Sequence, residues 1–100
     1  MDIAVFRLSL DQTQPPDDLS PVLEGLWWEA KGDWHKAHNC AQQNEDAASH
    51  WLHAYLHRKE GDLYNAGYWY RRAGRPVATV GLEAEWATIV TTLLVLRGED

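Results

Sequence analysis

The chain has 100 residues, 45% of them hydrophobic and 24% charged, which suits one domain built on one core. Its net charge of −6 argues against nucleic acid as a bulk partner. The longest apolar run, Thr88 to Leu96, is far too short to span a bilayer, so no membrane partner is expected. A single cysteine, Cys40, excludes an internal disulfide and fits a reducing, cytoplasmic setting. The first ten residues lack a basic segment and are broken by Asp2 and Arg7, a poor signal peptide.

Residues 1–10 alternate loosely through Ile3 and Val5, but a lone strand has nothing to pair with. The expected form is an extended arm docked on the domain, continued by the polar, proline-bearing linker from Asp11 to Asp18. Ser20 then caps a helix with Pro21 at its first position, and Val22, Leu23, Leu26, Trp27 and Ala30 follow as one apolar stripe. Gly32-Asp33 ends that helix and starts a second, with Trp34, Ala37, His38 and Ala41 on one face. Asn44, Glu45 and Asp46 open a third, which ends at Glu60 because Gly61 suits the left-handed position after a helix. Asp62 caps the fourth helix, which Gly74 and Pro76 terminate. A fifth helix carries Leu82, Trp86, Ile89, Val90, Leu93 and Leu96 on one side. The predicted helices cover 20–31, 33–43, 45–60, 62–74 and 82–97.

The segments WEAKGDWHKA and HRKEGDLYNA share Gly-Asp, then an apolar residue, then Ala three further on. Their offset is 29 residues, the separation of Gly32 from Gly61. At that offset Val22, Leu23, Leu26 and Trp27 fall on Trp51, Leu52, Tyr55 and Leu56. Short turns make antiparallel hairpins, and two similar hairpins in series stack as a solenoid fragment. The expected plan is a single all-α domain. Residues 1–19 form the arm and linker, 20–76 two stacked helix-hairpin repeats, and 82–97 a C-terminal helix capping the second hairpin.

The segment GDLYNAGYWYRRAGRP resembles the second helix of a tetratricopeptide or Sel-type repeat, with a turn glycine, then Ala66, Tyr70, Ala73 and Pro76. The period departs from the usual 34 of tetratricopeptides, and Ala41 stands in the first unit where the second has Tyr70. The pattern LWWEAKGDW, HAYLHRKEGD, AGYWYRRAGRP also resembles a family of small uncharacterised bacterial proteins. The repeat resemblance implies a tetratricopeptide-like fold and, by analogy, a protein or peptide partner.

In such arrays the first helix of each hairpin lines the concave face. The 29-residue offset superposes Glu24 on His53, Trp28 on His57 and Lys31 on Glu60, all outside the main apolar arcs. Side-by-side hairpins would bring Glu24, Trp28 and Lys31 to face His50, His53, His57 and Glu60 across a shallow peptide-binding groove. That groove is the expected function of a non-catalytic binding module.

The competing reading is metal. His50, His53 and His57 lie within about 60° of one another on one helix, opposite the arc of Ala48, Trp51, Leu52, Tyr55 and Leu56. Three imidazoles supply ligands for Zn²⁺, Ni²⁺ or Cu²⁺, whereas a bland reading makes them a polar, solvated face. His38, beside Ala37 and Ala41, is expected to be a hydrogen-bonded core histidine, with Cys40 pointing away from it as a small interior side chain. No GxSxG elbow, HExxH or glycine-rich phosphate loop occurs. An enzyme would have to use His53 or His57 with Glu60, and no nucleophile accompanies them. Arg58 and Lys59 are assigned to the negative end of their helix. Six acids against one lysine between Asp11 and Asp33, and five bases against two acids between Arg58 and Arg75, predict weak self-association.

Overall fold

The computed structural model describes residues 1–97, which fold into helices without any strand. The elements are α1 (Ile3–Ser9), α2 (Pro21–Ala30), α3 (Trp34–Ala41), α4 (Ala47–Lys59), α5 (Leu63–Ala73) and α6 (Leu82–Leu96). The five predicted helices are all present.

The first ten residues correct the expectation of an extended arm. Asp2 accepts from the Val5 amide at 3.0 Å and starts α1, and Phe6 is wholly buried. Ile3, Phe6 and Leu10 are spaced for a helix as well as for a loose alternation, and a helix satisfies its own backbone where an unpaired strand cannot. Ser9 then ties α1 to the core. Its hydroxyl donates to the Phe6 carbonyl at 2.6 Å and accepts from the Trp27 indole at 3.0 Å.

The two Gly-Asp turns have matching geometry. Gly32 and Gly61 both take φ +89°, a left-handed conformation that glycine adopts without steric cost. In each turn the following aspartate amide bonds back to a helical carbonyl at 2.9 Å, Asp33 to Trp28 and Asp62 to His57. Each aspartate carboxylate then caps the next helix, on the Lys36 and Asn65 amides. For α4 the cap is Asp46, at 2.8 Å from the Ser49 amide, rather than Asn44. The short turns pair α2 with α3 and α4 with α5.

α4 lies in the middle, packed against α2, α3, α5 and α6. It is buried on almost every side, including His50, His53 and His57. That corrects the reading of the histidines as a solvated face. Gly25 permits the close approach of α2, α3 and α4, because a Cβ there would lie 2.6 Å from Leu52 Cδ2 and 3.0 Å from Cys40 Cβ. α6 packs on α4, α2 and α1 and reaches α5 through the contact of Glu85 with Tyr70. It brings Trp86, Ile89, Val90 and Leu94 into the core, and the Trp86 indole donates to the Leu26 carbonyl at 3.0 Å.

Two buried carboxylates sit inside this packing. Glu85 of α6 is held by Arg58 at 2.7 Å and by the Tyr70 hydroxyl, and Glu29 of α2 is held by Lys59. Arg58 and Lys59 were assigned to the C-terminal end of α4. They serve as counter-charges to acids from other helices, since a buried carboxylate is tolerated only when paired.

Candidate metal centre

α3 carries Trp34 and His38 four residues apart, so their rings lie over one another on one face. The rings are nearly parallel, 10° apart, with centroids at 4.9 Å. That face meets α4 because Ala37 and Ala41 beside it are small and buried, and because the Trp34 indole donates to the Leu56 carbonyl at 3.0 Å. On α4, His53 and His57 have the same four-residue spacing and stack at 5.1 Å. α5 closes the site from the other side, where Trp69 stacks on His53 at 3.9 Å and 9°.

The helices therefore bring together a triad that one helix alone does not make. His38 Nε2 is 2.9 Å from His53 Nε2. His38, His53 and His57 each present a ligating nitrogen within 4.8 Å of the other two. His57 Nδ1 lies 2.5 Å from Glu60 Oε2, which assigns the ring proton to that side and leaves Nε2 unprotonated. A carboxylate behind a histidine in this manner orients the ring and raises its basicity toward a metal. Asn65 Nδ2 stands 3.4 Å from His57 Nε2.

Electrostatics favour neutral imidazoles at His53 and His38. Burial, then the neighbouring His38, His57, His50 and Arg72, push His53 down to about 4. His38 is also lowered, first by burial and then by His57, with Glu60 opposing. Metal bonds of about 2.0–2.1 Å in a tetrahedral site separate ligand nitrogens by roughly 3.3 Å. The 2.9 Å gap between His38 and His53 thus has to open by only about half an ångström. His57 also shares a second cluster with Glu60 and Asp62, but those carboxylates are exposed on the turn.

The sequence-based triad is corrected at one position. His50 turns away, its Nε2 lying 3.5 Å from Glu45 Oε2 and its ring 5.3 Å from Trp69. His38 of α3 takes its place. The predicted peptide groove is not assembled. Glu24 and Trp28 line a hollow of about 290 Å³ with Lys36 and Cys40, and Lys36 Nζ sits 3.8 Å above the Trp28 ring. Lys31 reaches the other way, donating to the Leu10 and Gln12 carbonyls at 2.6 and 3.0 Å, where it closes the end of α1. His53 and His57 lie buried against His38, with Glu60 bound to His57. The physical reason is α3 itself. Lys36 and Cys40 face the Glu24 and Trp28 row, and Trp34 and His38, roughly half a helical turn around the axis, face the histidines.

Cys40 is a buried side chain, 3.9 Å from Glu24 Oε2. Burial and that carboxylate raise its thiol to about 11, which removes it as a nucleophile at neutral pH. His38 carries the signal that sequence reading underused. It shares the face of Ala37 and Ala41, the face a short turn lays against the next hairpin. No helix among the described residues is long and apolar enough to cross a membrane. The comparisons returned no matching family model, curated protein or solved structure.

Proposed function

We propose that the protein binds a divalent transition metal, Zn²⁺ or Ni²⁺, between its two hairpins through His38, His53 and His57, with Glu60 orienting His57. The observation that carries this reading is the convergence of three imidazole nitrogens from two helices within 4.8 Å. Nitrogen-only ligation suits Zn²⁺ and Ni²⁺ and disfavours Mg²⁺ or Ca²⁺. Three protein ligands leave at least one coordination position for water or another molecule. Because His38 belongs to the first hairpin and His53 and His57 to the second, the ion clamps the two together. Metal binding is then coupled directly to the stability of the fold.

The test uses untagged protein stripped with a chelator and titrated with Zn²⁺ by calorimetry and thermal melting. A ligand that binds only the folded state adds about 2.7 kcal/mol at a hundredfold excess over Kd. For a domain of this size that raises Tm by roughly 10–20 °C. His38→Ala abolishes the rise and His50→Ala retains it. A protein whose melting ignores Zn²⁺ and Ni²⁺, or one that loses the response on His50→Ala and keeps it on His38→Ala, rules the site out.

A further inference from the structure

On the face of α4 opposite the histidines, a cavity of about 570 Å³ opens between α1, α2, α4 and α6. This falls within the range of small-molecule sites, about 300–1,000 Å³. One wall is apolar, formed by Trp86 and Leu82, and the remainder carries Arg7, Glu29, Tyr55, Lys59 and Glu83. Arg7 pairs with Glu83 at 3.2 Å on the rim, and its guanidinium lies 5.6 Å from the centroid of the Trp86 ring.

Two polar side chains in this lining, each mostly buried as a residue, have hydrogen-bonding capacity left over. Tyr55 is 2% exposed, yet its hydroxyl has no hydrogen-bond partner among the described residues. Glu29 is 4% exposed, and only its Oε1 is engaged, by Lys59. Its Oε2 accepts no hydrogen bond among the described residues. Both atoms are reached from the cavity and keep hydrogen-bonding capacity to offer a ligand. The lining also balances two acids with two bases, which disfavours a ligand of large net charge.

We propose that this cavity binds a small zwitterion, an ammonium and a carboxylate carried on an apolar body, the chemistry of a free apolar amino acid. Glu29 Oε2 accepts from the ammonium. The carboxylate takes the Tyr55 hydroxyl and the spare donors of Lys59, a side chain exposed enough to turn toward it. The apolar body lies against Trp86 and Leu82.

The experiment titrates the full chain with L-leucine, N-acetyl-L-leucine and L-leucinamide, by calorimetry and by NMR of the Trp86 and Tyr55 rings. L-leucine is expected to bind one to one and to move both ring resonances. Each blocked derivative loses a charge-assisted hydrogen bond and binds at least about tenfold more weakly. Tyr55→Phe keeps the packing and weakens L-leucine about three- to tenfold, with the helical circular dichroism unchanged. Absence of L-leucine binding, equal binding of a blocked derivative, shifts that avoid Trp86, or an unaffected Tyr55→Phe would each overturn the proposal.

Discussion

Replacing Gly25 with alanine sets two effects of known size against each other. Gly25 lies inside α2 with an ordinary helical φ, since among the described residues only Gly32, Gly61 and Gly74 take positive values. Alanine is therefore the better helix former there by about 1 kcal/mol. Against this, the new Cβ meets Leu52 Cδ2 at 2.6 Å, Cys40 Cβ at 3.0 Å and the Ala37 carbonyl at 3.2 Å. Leu52 is fully buried, so its side chain has no open space to swing into, and the other two atoms belong to the α3 scaffold. Overpacking of this kind costs about 1–3 kcal/mol, and three simultaneous contacts put it toward the upper end. The expected net result is destabilisation of about 1–2 kcal/mol, or a fall in Tm of roughly 5–15 °C. Gly67 in α5 is the internal control. A Cβ there meets only the Arg71 Nη1 end of a flexible side chain, at 3.7 Å. Gly67→Ala should stabilise by about 0.5–1 kcal/mol. Urea unfolding of both variants, with matched m-values, reads the difference directly. If Gly25→Ala stabilises as much as Gly67→Ala, the close approach of α2, α3 and α4 is wrong, and with it the placement of His38.

Acid provides a second perturbation. In metal-free protein the unfolded chain takes up a proton on His53 near its ordinary 6.5, while the folded chain resists until about 4. The unfolded state thus binds more protons through that window, and stability falls as pH drops from about 6.5 towards 4. At about 1.4 kcal/mol per pH unit the loss approaches about 3 kcal/mol. Urea midpoints at intervals across this range test it, and a flat profile contradicts it. Arg58→Met is expected to destabilise by about 3–5 kcal/mol, because it leaves the buried Glu85 without its counter-charge. Lys59→Met should cost less, since the Lys59 side chain is 44% exposed and water screens the pair it makes with Glu29. Equilibrium unfolding ranks the two, and equal costs would contradict the screening assigned to the more exposed Lys59.

What was legible in the sequence was local. The Gly-Asp turns announce themselves because a left-handed glycine and a capping aspartate are needed side by side, and both turns form that way. What escaped was set by packing between distant segments. Helical periodicity on α4 separates an apolar arc from a histidine arc, but it does not say that α3 and α5 cover the second arc. The same blindness hid the role of Lys59, whose partner Glu29 lies thirty positions away. In α1 the pattern of Ile3, Val5 and Phe6 served two periods equally, and the cap at Asp2 was the deciding residue. The candidate site was half visible. His53 and His57 were in the predicted triad, whereas His38 could join them only once α3 was laid against α4.

Anomalous diffraction from crystals grown with Zn²⁺ tests directly the metal ion proposed between the three imidazoles of α3 and α4. A single strong peak is expected at the zinc edge, about 2.0–2.1 Å from one nitrogen each of His38, His53 and His57, with Glu60 still on His57 Nδ1. A peak on the exposed carboxylates of Glu60 and Asp62, or crystals with no zinc at the histidines, would contradict it.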